Sequence, residues 1–173
     1  MHQKGRKKYR TLQKGKNIVR QISIKIIANK SIMSSIQEDK PHLCPLCRKD
    51  PESHSLSKVR EVNGTAIFYT SPAKAKSLDK DGVIRHYDLV LGENTQPWIW
   101  IFDCKDFPLS HALDMPTAIE MAKLINEKFS HNLQKVIVIN STTFIYVILK
   151  TLSFFMSEET NKKIQVSDQQ YDL

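Results

Sequence analysis

The sequence predicts an α/β fold, a largely parallel sheet with helices packed on it, preceded by a basic flexible arm. Trp98-Ile-Trp-Ile-Phe102 is a continuous apolar run ending at Asp103, and Val136-Ile-Val-Ile139 is a second one ending at Asn140. Runs of β-branched and aromatic residues without polar alternation suit strands covered on both faces, as in a parallel sheet. Each run is followed by a helical pattern, the order that a βαβ crossover requires.

Taken in order, residues 1–40 form the arm, 41–57 a Cys-containing linker and 58–173 the α/β domain. Lys58-Val-Arg-Glu-Val62, Asn63-Gly64 and Thr65-Ala-Ile-Phe-Tyr-Thr70 read as a hairpin, because both positions of a two-residue turn need positive φ. Ser71 and Pro72 open a short helix, Ala73 to Leu78, which Asp79-Lys-Asp-Gly82 ends. Val83 to Leu91 is expected to be a strand, and residues 92–97 a loop leading into Trp98. After the irregular stretch 104–111, Asp114 caps a helix with Pro116 in its first turn, where a missing N–H is harmless. From Pro116 to Phe129 the apolar positions Ile119, Met121, Ala122, Leu124, Ile125 and Phe129 form a stripe opposite Glu120, Lys123, Glu127 and Lys128, so one face packs on the sheet. Asn132 begins the return to strand. Ser141-Thr142 caps a helix, Thr143 to Phe155, that is apolar nearly all round and therefore deeply buried or covered by a ligand or partner. A helical turn after Ser157 and a last strand, Ile164-Gln-Val166, complete the order.

Charge is distributed unevenly. Ten of the 26 Lys and Arg fall in residues 1–30 and none of the 18 acids does, so the remainder, with 16 bases against 18 acids, is near neutral. A polybasic arm of this kind binds anionic membrane at about 1 kcal/mol per base. It equally attracts nucleic-acid phosphates, but the aromatics that stack on single strands are lacking except Tyr9, so nucleic acid is a less favoured partner. An acid-free, Ser-containing start is also the composition of an organelle transit peptide. Arg6-Lys7-Lys8 is a minimal nuclear signal, and a solvated tail with no partner fits as well. Ile18, Val19, Ile22, Ile26 and Ile27 lie near helical spacing, while Ile22, Ile24 and Ile26 alternate as in a strand; both readings stand.

The most apolar window, Phe144 to Met156, is broken by Lys150 and is shorter than the roughly 18–20 residues that span hydrocarbon. Three cysteines, an odd number, argue against a disulfide framework and fit a reducing compartment. The expected location is cytoplasmic or peripheral to a membrane.

Four segments together resemble the CRAL-TRIO lipid-binding domain: Trp98-Ile-Trp-Ile-Phe-Asp103, Phe107-Pro-Leu-Ser-His111, Asn132-Leu-Gln-Lys-Val-Ile-Val-Ile-Asn140 and Met156-Ser-Glu-Glu-Thr-Asn-Lys-Lys-Ile164. Tyr69-Thr-Ser-Pro-Ala-Lys-Ala and Asp81-Gly-Val-Ile-Arg-His86 look similar to the segment ahead of it. The resemblance covers about Val59 to Asp168. It implies a sheet that floors an apolar pocket for phosphoinositide, tocopherol, retinal or squalene-like lipids, and no catalysis. Its usual preceding helices are replaced here by the arm and Cys-Pro-Leu-Cys. The sequence also reaches Leu173 just past the Lys-Lys-Ile strand, without the gate helix and final strand that normally close the pocket. Dimerisation, the arm, or docking on a membrane or partner is then expected to cover it. Asp106 stands where a turn glycine is common, a mild change because Asp tolerates left-handed backbone.

On this reading the lipid-pocket candidates are Trp98, Trp100, Phe102, Ile137, Ile139, Phe144, Val147, Ile148 and Phe154, with simple core packing as the competing role. Lys4, Arg6, Lys7, Lys8, Arg10, Lys162 and Lys163 are candidates for membrane or phosphate contact. Cys44-Pro-Leu-Cys47 has the spacing of half a zinc site, which His42, His54, His86 or Cys104 would complete, His54 best; a redox pair is the other account. Cys104 with His111 raises nucleophilic catalysis, but Cys104 follows a buried strand without an oxyanion donor loop, and a structural role is expected. The function expected is non-enzymatic lipid binding or presentation, with residues 1–30 tethering the protein to anionic membrane. The alternative is a protein–protein interaction scaffold, or a homodimer, that kept the fold without a lipid pocket, as in the BCH-like branch of the family.

Overall fold

The computed structural model describes residues 44–50, 53–77, 79–107 and 114–167. The basic residues of the arm, His42 and His111 lie outside them. A short helix α1 (Pro45–Lys49) leads into the hairpin β1 (Leu56–Val62) and β2 (Thr65–Thr70), then a single 3-10 turn at Pro72–Lys74 and helix α2 (Lys80–Gly92). Strand β3 (Trp98–Asp103), helix α3 (Met115–Leu124) with a wider π turn at Ile125–Phe129, and strand β4 (Leu133–Ile139) follow. Helix α4 (Thr143–Leu152), a 3-10 turn at Ser153–Phe155, helix α5 (Glu158–Lys162) and strand β5 (Ile164–Val166) complete the described order.

The strands stand in the sheet in sequence order, β1-β2-β3-β4-β5. Only the hairpin is antiparallel; β2-β3, β3-β4 and β4-β5 are parallel. Crossovers that step in one direction with one hand put their helices on one face of the sheet. Side chains alternate across a strand, so that face receives Trp100 and Phe102 from β3 and Val136 and Val138 from β4. The register aligns them in rows: Phe68 beside Trp100, Trp100 beside Val136 and Val136 beside Ile164.

Local chemistry explains the boundaries. Asn63 and Gly64 take φ of 51° and 73°, the paired positive values of a tight hairpin turn. Asp114 accepts the Thr117 N–H at the start of α3, with Pro116 in the first turn, and the Ser157 hydroxyl accepts the Thr160 N–H at the start of α5. Asp106 takes φ of 55°, the left-handed geometry expected of it.

Two expectations fail. Residues 83–91 belong to helix α2, not to a strand, and the helix expected over 73–78 is only the turn Pro72–Lys74. The reason lies at Asp79, whose carboxylate accepts the Gly82 N–H at 2.8 Å. Asp79-Lys-Asp-Gly82 therefore opens a helix rather than ending one. A β-carbon at Gly82 would collide with that carboxylate, so the glycine permits the cap. With the helix begun there, Val83, Tyr87, Val90 and Leu91 recur at three- and four-residue intervals and turn toward the core.

Candidate functional site

Between the sheet and its helices lies a cavity of about 250 Å³. Its floor is Thr70, Trp100, Phe102, Val136, Val138 and Ile164, one from β2, two each from β3 and β4, and one from β5. Val83 and Tyr87 of α2, Ala118 and Met121 of α3, and Ile148 and Leu149 of α4 form the opposite wall. Such a lining gains from excluding water and offers few partners to a polar ligand. Its polar edges are few. The Trp100 indole donates to Thr70 Oγ1 at 2.9 Å, and the Tyr87 hydroxyl lies 3.0 Å from the same atom, so these groups satisfy one another. Thr117 also lines the space, and its buried hydroxyl has no hydrogen-bond partner among the described residues.

Of the pocket candidates read from the sequence, Trp100, Phe102 and Ile148 line this cavity. Trp98 is buried beside it with its indole donating to the Phe129 carbonyl at 3.2 Å. Ile137 and Ile139 are buried but alternate to the face opposite Val136 and Val138. Phe144 is half-buried outside the lining, while Val147 and Phe154 are exposed, the latter by 81%. Lys162 and Lys163 form ion pairs with Glu158 and Glu159, and Lys163 also donates to the Ser130 carbonyl. Of the other lining residues, Met121, Ala122 and Ile125 belong to the stripe read from sequence as packing on the sheet, whereas Val83 and Tyr87 are hidden by the strand reading of 83–91.

A second cluster gathers at the start of the domain. The Cys44 Sγ caps α1 by accepting the Cys47 N–H at 3.4 Å. The His54 Nδ1 stands 3.4 Å from Cys44 Sγ and 3.2 Å from Cys47 Sγ, and the His54 Nε2 is 3.2 Å from the Asp79 carboxylate. His86 of α2 turns its Nε2 to the Leu56 carbonyl at 2.9 Å, and its Nδ1 is buried without a hydrogen-bond partner among the described residues. All four residues are buried, and their donor atoms lie within 4.8 Å of one another, an arrangement of metal-ligand type. Burial lowers the His86 pKa, favouring the neutral ring, while burial and the adjacent Cys44 push the Cys47 thiol up to about 12.

Comparison with protein-family models matches the CRAL/TRIO domain over residues 57–173, well over half of the chain. The chain belongs to the CRAL/TRIO domain family. Domains of this family are generally non-catalytic lipid-binding modules, and the cavity lies on the sheet of the matched region. No individual curated protein matches the sequence. Cys104, the one cysteine in the matched segment, is buried, and that burial pushes its thiol up to about 12. A thiol held protonated in this way is a poor nucleophile. No described helix is long and apolar enough to cross a membrane. Cys44, Cys47 and His54 precede the segment matched to the CRAL/TRIO domain, and only His86 of the second cluster falls inside it.

Proposed function

We propose that this CRAL/TRIO domain holds the apolar chain of a lipid between its sheet and helices α2, α3 and α4, with the headgroup outside. The observation that supports it is the cavity floored by Trp100, Phe102, Val136 and Val138. Its 250 Å³ lies near the lower end of small-ligand sites, roughly 300–1,000 Å³, and favours one acyl or isoprenoid chain over a whole two-tailed lipid. The Thr117 hydroxyl supplies a donor for a single ligand oxygen. Apolar contact provides affinity at roughly 25 cal/mol per Å² buried.

Helix α4 links the cavity to a surface. Ile148, Leu149 and Leu152 line the interior, while Tyr146, Val147 and, just beyond the helix, Phe154 are exposed. In this reading those three meet a membrane where cargo enters and leaves, and the bases of residues 1–30 supply salt-sensitive attraction to anionic headgroups. Native mass spectrometry of the purified full-length chain, followed by lipid extraction, tests the proposal. A co-purified or exchangeable single-chain lipid supports it. A clean apo mass across several preparations, with no uptake from vesicles, favours the protein-interaction scaffold instead. Sedimentation with phosphatidylserine vesicles, with and without residues 1–30, tests the tether separately.

A further inference from the structure

We propose that Cys44, Cys47, His54 and His86 bind one zinc ion as a closed, four-ligand structural site that fastens the segment ahead of β1 to helix α2. The first ground is geometric. A tetrahedral zinc ion with its usual bond lengths separates neighbouring sulfur and nitrogen ligands by about 3.3–3.8 Å. The two Cys Sγ atoms lie 3.4 and 3.2 Å from His54 Nδ1, and the full set of donors falls within 4.8 Å.

The second ground is the direction in which each imidazole is held. A backbone carbonyl only accepts hydrogen bonds, so the His86 Nε2 at 2.9 Å from the Leu56 oxygen carries the proton, and the buried, unpartnered Nδ1 of a neutral ring presents its lone pair. The His54 Nε2 faces the Asp79 carboxylate in the same way, which leaves its Nδ1 lone pair to the two sulfurs. Each histidine thus has an outer partner that fixes its tautomer and orientation, the arrangement found behind metal-bound histidines. A hydrogen-bonding account is poorer, because one lone pair on His54 cannot satisfy two thiols while the His86 nitrogen beside it goes unused.

The third ground is the frame. Two cysteines three apart at the start of α1, a histidine in the following loop and a histidine on α2 come from three separate pieces of chain. Without a shared ligand little else would bring them together in a protein interior. Sulfur and imidazole donors in equal number suit zinc rather than the harder, oxygen-seeking cations. Four protein donors, all buried, fill a tetrahedron and leave no position for substrate or hydrolytic water, so the role is structural. His54 also lines the end of the apolar cavity, so the ion would brace that wall.

The test uses the full chain, purified under reducing conditions from zinc-supplemented medium. Metal analysis is expected to find about one zinc per chain. Cobalt(II) exchanged into the site should give the visible absorption of a tetrahedral ion together with thiolate charge transfer. His86→Ala and Cys47→Ser should each lower zinc content more than tenfold, and a chelator should lower the thermal midpoint of the wild type but not of the variants. Should the variants fail to fold, the zinc content and cobalt spectrum of the wild type still decide. A folded wild-type chain without zinc or a cobalt spectrum would overturn the proposal. So would a Cys44–Cys47 disulfide in that preparation, or full zinc loading with an unchanged cobalt spectrum in His86→Ala.

Discussion

Tyr69 donates its phenolic hydrogen to the Asp103 carboxylate at 2.6 Å, joining the carboxyl ends of β2 and β3. The other carboxylate oxygen accepts the Asn140 amide at 2.8 Å and the Lys105 N–H at 2.9 Å. Burial and the Asp103 charge raise the Tyr69 pKa, so the phenol remains a donor at ordinary pH. One buried carboxylate therefore ties the ends of three parallel strands, on the sheet face opposite Phe102. Tyr69→Phe removes one donor and is expected to cost about 1–2 kcal/mol. Asp103→Ala removes the acceptor that all three share and is expected to cost roughly 3–5 kcal/mol. Urea denaturation monitored by tryptophan fluorescence measures both, and equal losses for the two variants would show that Asp103 acts only through Tyr69.

Filling the cavity separates lipid binding from folding. Ala118 faces the space from α3, across from Trp100 and Phe102. Ala118→Phe is expected to reduce lipid uptake at least tenfold. Its thermal midpoint should stay within a few degrees of the wild type, since the ring enters existing space rather than a closely packed core. Uptake unchanged beside an intact fold would place the lipid elsewhere.

How far the sequence carries can be judged from α2 and β3. The β3 and β4 runs are unambiguous, because five and four β-branched or aromatic residues without a polar break have few other homes, and their parallel pairing follows from the helix between them. Helix α2 was misread because Val83-Ile84 and Leu89-Val90-Leu91 satisfy a strand pattern as easily as a helical one. The deciding signal, a carboxylate three residues ahead of a glycine, is local and small. That misreading left His86 as one of four possible completions of the Cys44–Cys47 pair, with nothing to favour it. Cys44-x-x-Cys47 and His54 are neighbours in sequence and were legible as part of a site, whereas His86 is brought to them only when residues 80–92 coil into a helix. The face of α4 was obscure for a different reason: a helix apolar nearly all round carries no pattern to say which residues turn inward. Only the structure separates Ile148 from Val147.

That separation yields a prediction for the exposed α4 surface proposed to meet a membrane. Val147 is 60% exposed and Phe154 81% exposed, so Val147→Asp with Phe154→Asp removes little buried contact and should change stability by less than about 1 kcal/mol. Association with zwitterionic vesicles should fall severalfold, while lipid already in the cavity is retained. Vesicle sedimentation beside native mass spectrometry distinguishes the two. Loss of cargo without loss of vesicle association would contradict this assignment of the α4 surface.

Asp79 offers the most discriminating single change at the cysteine–histidine cluster, because its two oxygens do different work. Oδ2 caps α2 through the Gly82 N–H, and Oδ1 receives the His54 Nε2 and the Ser77 hydroxyl. The Ser77 hydrogen bond is the chief reason that the carboxyl is held below the usual aspartate range, with His54 and Gly82 adding to it. Asn at this position keeps one oxygen, which can still cap the helix, but replaces the other with an amide nitrogen that donates. Facing His54, that nitrogen would oppose the Nε2 proton and loosen the ring that presents Nδ1 to the sulfurs. Asp79→Asn should therefore leave far-UV circular dichroism and helix content unchanged while weakening zinc affinity by about 10–100-fold. Competition with a chromophoric chelator measures it. Unchanged affinity in the folded variant would show that the carboxylate serves the helix cap alone and has no part in orienting His54.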